Sequence, residues 1–255
     1  MPTLKTTNAQ IYYEAVGHGP AILFAHGAGG NAASWWQQVP EFARDHRVIV
    51  FDHRGFGRSH CVPEHFSPAL FEGDALAILD AERIDRAAVV CQSMGGWTGV
   101  RLAVNHPTRV RALVLGNTPG AIYSDALRDQ MRTLTARPPS GDLTAMTLGA
   151  PFKSANPAGA YLYTAITAFN TTPMPIAALM SRDAFVATER VRPFPVPVHV
   201  IASDLDATFP PALLGFTAAL IGANVSMVEG AGHSTYFEKP AEFNAIVRDF
   251  LARHR

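Results

Sequence analysis

The stretch AAVVCQSMGGWTGVRLAVNH, residues 87–106, decides the reading of this chain. Its first four residues are apolar without alternation, as expected of a strand covered on both faces. They lead through Cys91 and Gln92 to Ser93, then to Gly95 and Gly96, and on into a helix pattern that stops before Pro107. A serine hydroxyl is a weak nucleophile unless it is exposed, close to a base and close to donors that stabilise an oxyanion. A tight strand-to-helix turn supplies the exposure, and the helix that follows directs its free N–H groups and positive end at the reaction centre. Such a turn strains the backbone at the serine, so the residues two positions away on either side must be small. Gly95 meets this demand, and Cys91 stands on the other side, where glycine is common. An N-cap serine opening an ordinary helix gives the same local pattern, so the reading has to be tested along the rest of the chain.

Upstream, AILFAHGAGGNAASWW (residues 21–36) is another apolar run, ending in His26-Gly27 and a row of small residues. A glycine-rich turn at a strand's C-terminal edge can place a backbone N–H at a substrate oxygen. The N–H of Ala28 and that of Met94 are the candidate oxyanion donors. The loop lacks the Lys-Ser/Thr of a phosphate-binding P-loop. His26 sits at a strand end between buried neighbours and reads as structural. Downstream, VHVIASDLDATFPP (residues 198–211) places Asp204 and Asp206 just beyond an apolar strand, where catalytic groups collect in open α/β sheets. VSMVEGAGHSTYFEKP (residues 225–240) places His233 in a glycine-rich loop after a further short strand. Nucleophile, acid and histidine thus follow in the order Ser, Asp, His, which distinguishes one triad scaffold from the others.

Residues 21–25, 48–51, 87–90, 113–115 and 196–201 read as strands, with amphipathic stretches between them. Phe71, Ala75, Ile78 and Leu79 share one helical face. So do Phe243, Ile246, Val247, Phe250 and Leu251, after Pro240 at a plausible first helical position. Alternating strands and helices predict an α/β fold with parallel strands and right-handed crossovers. Residues 10–15 read as part of an antiparallel hairpin at the sheet edge. The rhythm breaks between about residues 120 and 195. From Pro138 to Ser181 the only charged residues are Asp142 and Lys153. So apolar a segment must bury itself against something, and a helical cap inserted into the sheet domain answers that need.

Lys and Arg number 21, as do Asp and Glu, so no excess of positive charge attracts a nucleic acid. The near-zero net charge is compatible with a homo-oligomer. Cys61 and Cys91 cannot make a disulfide framework. The first residues show no basic segment followed by an apolar run, and the uncharged stretch from Ser154 to Ser181 carries three prolines, unlike a membrane span. The expected setting is the cytoplasm, with no membrane partner. His53, His60 and His65 share a loop, but their spacing matches no metal site, and neither metal nor cofactor is expected.

Five motifs in order carry a resemblance: HGAGG at 26–30, DHRGFGRS at 52–59, CQSMGG at 91–96, DLDATFP at 204–210 and GAGHSTYFEKP at 230–240. Apart from residues 120–195, the whole chain resembles the α/β-hydrolase superfamily, in particular its esterases, enol-lactonases and C–C bond hydrolases. The resemblance implies a mostly parallel eight-stranded sheet with helices on both faces, formed by residues 1–119 and 196–255, and a helical cap formed by 120–195. It implies that the acid lies four residues before a proline, which selects Asp206 over Asp204, and that the 52–59 segment is a structural turn held by Asp52 and Arg54. It implies an acyl-enzyme mechanism using Ser93, His233 and Asp206. A small, largely apolar ester or lactone is the leading substrate class. Ring-fission products and enol-lactones are the alternatives. They carry carboxylates and would want a cation, for which Arg182, Arg190 and Arg192 border the cap. Phe152, Tyr161, Tyr163, Phe169 and Met174 are the candidate pocket-lining residues. A ligand receptor on the same scaffold, with slow turnover, is the alternative of another class.

Overall fold

The computed structural model describes residues 3–135, 144–172 and 175–254. Eight strands, β1 (Thr3–Thr6), β2 (Ala9–Val16), β3 (Ala21–Ala25), β4 (Arg47–Phe51), β5 (Ala87–Gln92), β6 (Val110–Gly116), β7 (Val198–Ser203) and β8 (Asn224–Val228), form one sheet in the order β1-β2-β4-β3-β5-β6-β7-β8. β2 runs antiparallel to both β1 and β4, while the pairings from β4 to β8 are parallel. Strand β1 is therefore the edge, and residues 10–15 lie one strand in from it.

The helices are α1 (Gln38–Phe42), α2 (Phe71–Ala81), α3 (Gly95–Asn105), α4 (Asp125–Thr135), α5 (Thr144–Thr147), α6 (Ala150–Ala155), α7 (Pro157–Thr167), α8 (Pro211–Ile221), α9 (Thr235–Glu238) and α10 (Pro240–Ala252). The unbroken apolar strands bury both faces because successive side chains point opposite ways. Leu23, Val89, Leu113 and Val200 pack with α2, α3 and α8, whereas Phe24, Val90, Val114 and Ile201 pack with α1 and α10. Each fully buried Leu or Phe in these layers stabilises the fold by about 2 kcal/mol.

Strand β7 begins two residues later than its apolar run indicates. Pro197 has no N–H to offer a ladder, and only its carbonyl pairs, accepting from Leu113 N at 2.9 Å. The strand in turn ends at Ser203, so both aspartates fall in the turn beyond it.

Among its described residues the insertion has no core of its own. Leu148, Tyr163 and Ile166 join the α1/α10 layer, while Ala121, Ile122, Leu127, Leu179, Ala184 and Val186 join the α2/α3 layer. Its base is closed by a bridge between Ile122 and Val186, with Val186 N donating to Ala121 O at 2.8 Å. The stretch before that closure is a series of 3-10 turns pinned along α3: Trp97 Nε1 donates to Leu179 O at 3.1 Å and Arg101 to Asp183 O at 2.9 Å. Among the described residues, no helix is long and apolar enough to cross a membrane.

Candidate active site

Ser93 takes a φ of +48°, a left-handed conformation costing on the order of 1–3 kcal/mol for a residue with a side chain. The strain persists because the surroundings over-determine it. Ser93 N donates to Gly116 O at 3.2 Å, which holds the turn to β6, and α3 starts two residues on. Any side chain at Gly95 would run into the carbonyl of Ala25 at the end of β3. Cys91 is tolerated because its Sγ fills the space that a Cβ at position 99 would need, and residue 99 is glycine. The departure from a small-residue turn at Cys91 is thus compensated one helical turn along α3.

Strand β3 delivers the second loop. Gly30 N donates to Gly27 O at 3.0 Å, and Gly29, third in the turn, has a φ of +83°. A type II turn requires that sign at that position. The turn is pressed on the serine: a Cβ at Gly27 would lie 2.9 Å from the Cβ of Ser93 and would clash with Gln92 Oε1. Among the described residues, neither the N–H of Ala28 nor that of Met94 donates to a protein acceptor.

Strands β7 and β8 deliver the third and fourth pieces. The carboxylate of Asp206 lies 3.0 and 3.1 Å from His233 Nδ1. Its Oδ1 accepts from Thr208 N (2.8 Å) and Phe209 N (2.9 Å), and its Oδ2 from Asn117 Nδ2 (3.1 Å). Asp204 points elsewhere, accepting from Gly230 N at 2.7 Å. The ring of Phe209 meets that of His233 edge-on at 5.6 Å. Gln92 joins the pieces: Nε2 donates to His233 O at 3.1 Å while Oε1 abuts Gly27. Four loops from the carboxyl ends of β3, β5, β7 and β8 therefore meet at one place.

A family model described as the alpha/beta hydrolase fold matches residues 20–240. The chain belongs to that family. It is 38% identical over 117 residues to a protein of Azorhizobium caulinodans described as the carbamate hydrolase RutD, an alignment covering 46% of this chain and 44% of that protein. It is 36% identical over 111 residues to the 2-hydroxymuconate semialdehyde hydrolase of a Pseudomonas species, covering 42% and 39%. The chain thus aligns with less than half the length of these curated relatives. Among solved structures, it superposes on the enol-lactonase of Burkholderia xenovorans with a TM-score of 0.82 at 25% identity, covering 98% of this chain and 100% of that one. It superposes on Est816, described as an N-acyl homoserine lactone degrading enzyme, with a TM-score of 0.81 at 27% identity and the same coverage.

In this alpha/beta hydrolase the 52–59 segment is a structural turn. Asp52 accepts from Ala32 N at 2.6 Å and from Arg58 N at 2.7 Å, while Arg54 is buried and makes a two-pronged pair with Asp74, both bonds 2.8 Å. His26 is buried between the two loops; Nδ1 lies 2.8 Å from Gly27 O, and Nε2 accepts from His53 N at 2.9 Å. Burial pushes His26 down to about 4 from an ordinary 6.5. The unfolded chain therefore takes up a proton below about pH 6.5 that the folded chain refuses until about pH 4. Stability is complete above that window and is lost as pH falls through it, by up to about 3 kcal/mol from this group. Urea unfolding of His26→Gln at pH 7 and pH 5 should show a shallower loss on acidification than wild type. Equal losses in the two proteins would refute this role for His26.

The insertion reaches the site through α5, α6 and α7. Ser234 N donates to Thr147 O at 2.9 Å, and Ser234 Oγ to Tyr163 Oη at 3.1 Å. The buried carboxylate of Glu238, pushed up by desolvation, accepts from Gly149 N at 2.9 Å and from Gly232 N at 3.0 Å. Tyr163 and Phe152 both pack edge-on against Phe237, at 5.1 and 6.0 Å, and so tie the insertion to the His233 loop. Tyr161 departs from the expectation of a lining residue: it is 76% exposed, on the face of α7 opposite Tyr163 and Ile166. Phe169, 62% exposed, borders a cleft of about 240 Å³ with Asn31, Asp52, Gly57 and Arg58. Met174 lies outside the described residues.

Arg190 and Arg192 are carried away from Ser93. Arg190 donates to Asn105, the last residue of α3, about 15 Å along the helix from its start. Arg192 donates to Leu220 O at 2.8 Å and lines a groove with Val198 and Asn224, the first residues of β7 and β8, at the opposite end of the sheet. Arg182 is exposed in a one-turn 3-10 helix.

Sequence reasoning passed over Gln92, Asn117 and Glu238. A polar residue closing an otherwise apolar strand is the signal for the first two. Asn117 also has a φ of +50°, a conformation asparagine tolerates better than most residues.

Proposed function

We propose that the protein is a serine hydrolase of small, largely apolar carboxylic esters or lactones, working through an acyl-enzyme. The observation that carries this reading is the junction at Gln92, where the serine turn, the Gly27–Gly30 turn and the His233 backbone are held together beside the His233–Asp206 pair. Ser93 Oγ attacks the substrate carbonyl while His233 Nε2 takes its proton. Asp206, against Nδ1, holds the tautomer that leaves Nε2 free and stabilises the imidazolium that forms. The N–H groups of Ala28 and Met94 receive the oxyanion, Met94 lying at the positive end of α3. Collapse of the tetrahedral intermediate expels the alcohol, which takes the proton from His233. Water then cleaves the acyl-enzyme with His233 again as base. The cycle calls for no cofactor.

Two solved structures that match nearly the whole chain at 25% identity or more are described by lactone chemistry, and a lactone is an internal ester. Arg190 and Arg192, two of the three cations weighed as anchors for a carboxylate-bearing ring-fission product or enol-lactone, lie away from Ser93. The deciding experiment measures steady-state turnover on p-nitrophenyl esters, uncharged lactones and vinylogous diketones, with Ser93→Ala as control. Many turnovers per molecule on the esters or lactones are expected. Preference for the diketones would replace the ester reading with C–C bond hydrolysis, and a single turnover on every substrate would favour a receptor.

A further inference from the structure

Asn170 follows the last helix of the cap, and its amide grips two core loops at once. Nδ2 donates to Gly29 O at 2.6 Å and to Gly30 O at 3.2 Å, while Oδ1 accepts from Gly57 N at 2.7 Å. The same two loops are joined from beneath by Asp52, through Ala32 N and Arg58 N. One turn before Asn170 in the cap, Ile166 O accepts from Asn31 Nδ2 at 2.9 Å, so cap and loop are stitched at both ends of the Gly29–Asn31 segment. We infer that Asn170 is a positioning residue for the oxyanion turn, an inference that rests on the serine-hydrolase reading above.

The physical need is specific to this turn. Three of its four residues, Gly27, Gly29 and Gly30, are glycines, which impose little conformational preference of their own. Type I and type II turns differ by a flip of the central peptide, here Ala28–Gly29, with little movement of the ends. The candidate oxyanion donor, Ala28 N–H, belongs to the peptide just before that one. Gripping Gly29 O fixes the plane of the Gly29–Gly30 peptide. The N–H of that same peptide, on Gly30, donates to Gly27 O, and Gly27 O belongs to the peptide that carries the Ala28 N–H, so the grip orients the donor. An oxyanion donor is effective only when held in place before charge develops. The cap side chain would therefore act on the rate of the chemical step and hardly on substrate affinity.

The test uses the full chain with p-nitrophenyl butyrate as substrate. A trifluoromethyl ketone, which forms a tetrahedral adduct with an active-site serine, probes the oxyanion site, and butyrate serves as a ground-state ligand. Asn170→Ala should lower kcat by about tenfold to a hundredfold, the scale of a small misplacement of reacting groups, with KM within about threefold. Affinity for the trifluoromethyl ketone should fall by the same factor as kcat/KM, and affinity for butyrate should stay unchanged. Asn170→Asp keeps the acceptor for Gly57 N but sets a carboxylate oxygen against the two carbonyls. It should be at least as slow as Asn170→Ala. Wild-type kcat in Asn170→Asp, or a rise in KM alone in Asn170→Ala, would show that the amide merely docks the cap and would overturn the inference. Ser93→Ala on the same substrate separates the two levels. If it is inactive while Asn170→Ala turns over normally, only the role of Asn170 falls. If it is fully active, both readings fall together.

Discussion

Ser93→Ala should fold like the wild type and lose about 10⁶ in turnover on any ester the wild type cleaves. Alanine carries the same Cβ as serine, so the +48° backbone at position 93 costs the variant little more than it costs the parent. What disappears is the covalent route. On the proposed reading the oxyanion donors, Ala28 N–H and Met94 N–H, remain, and they sustain only the residual acceleration, about 10³–10⁴ over water, that such sites retain without a nucleophile. Mass spectrometry after treatment with a serine-reactive phosphonate checks the assignment. The wild type should be labelled at residue 93 alone and the variant not at all. A label on any other residue sinks Ser93 as nucleophile.

Asp206→Asn should lower turnover by about 10⁴ with the fold intact. The hydrogen bonds explain why so small a change is so costly. Thr208 N and Phe209 N both donate to Oδ1 and will hold the amide oxygen there. The amide nitrogen is then forced into the place of Oδ2, facing two groups: Asn117 Nδ2 at 3.1 Å, itself a donor, and His233 Nδ1 at 3.0 Å. To accept from that nitrogen, His233 must move its proton to Nε2, the atom needed to receive the proton of Ser93. Asp204→Asn is the matched control. Its carboxylate accepts from Gly230 N on the far side of the turn, and its loss should cost less than about tenfold in steady-state kinetics. If the two variants rank the other way, Asp204 orients the histidine.

The sheet and the chain order of the candidate site were legible in the sequence because both rest on local signals. An unbroken apolar run such as residues 87–90 has only a doubly covered strand to become, and the layers on either side of Val89 and Val90 confirm that cover. Ser93 and Asp206 each follow such a run, His233 follows the short and mostly exposed β8, and the carboxyl ends of parallel strands converge on one edge. Strand ends were less legible. Apolar character alone runs residues 196–201 together as a strand, but the ladder needs an N–H that Pro197 lacks, so β7 is displaced by two residues.

The sequence by itself determined the fold class, the serine turn and the order in which the candidate catalytic groups appear, since strand burial, turn chemistry and helix periodicity act over a few neighbouring residues. Only the tertiary structure decided which distant groups complete the site. Cys91 is acceptable because of Gly99 on the adjoining helix. Asp206, which the resemblance already selected over Asp204, is held against His233 by the donors of Thr208, Phe209 and the distant Asn117. The insertion follows the same rule. Its composition announced burial but not against what, and its buried residues among those described divide between two layers of the core instead of forming a third. Asn170 and Gly29, 141 positions apart, meet through a hydrogen bond whose partners carry no local pattern. Contacts of that kind depend on how the chain closes on itself, and no window of neighbouring residues contains both halves.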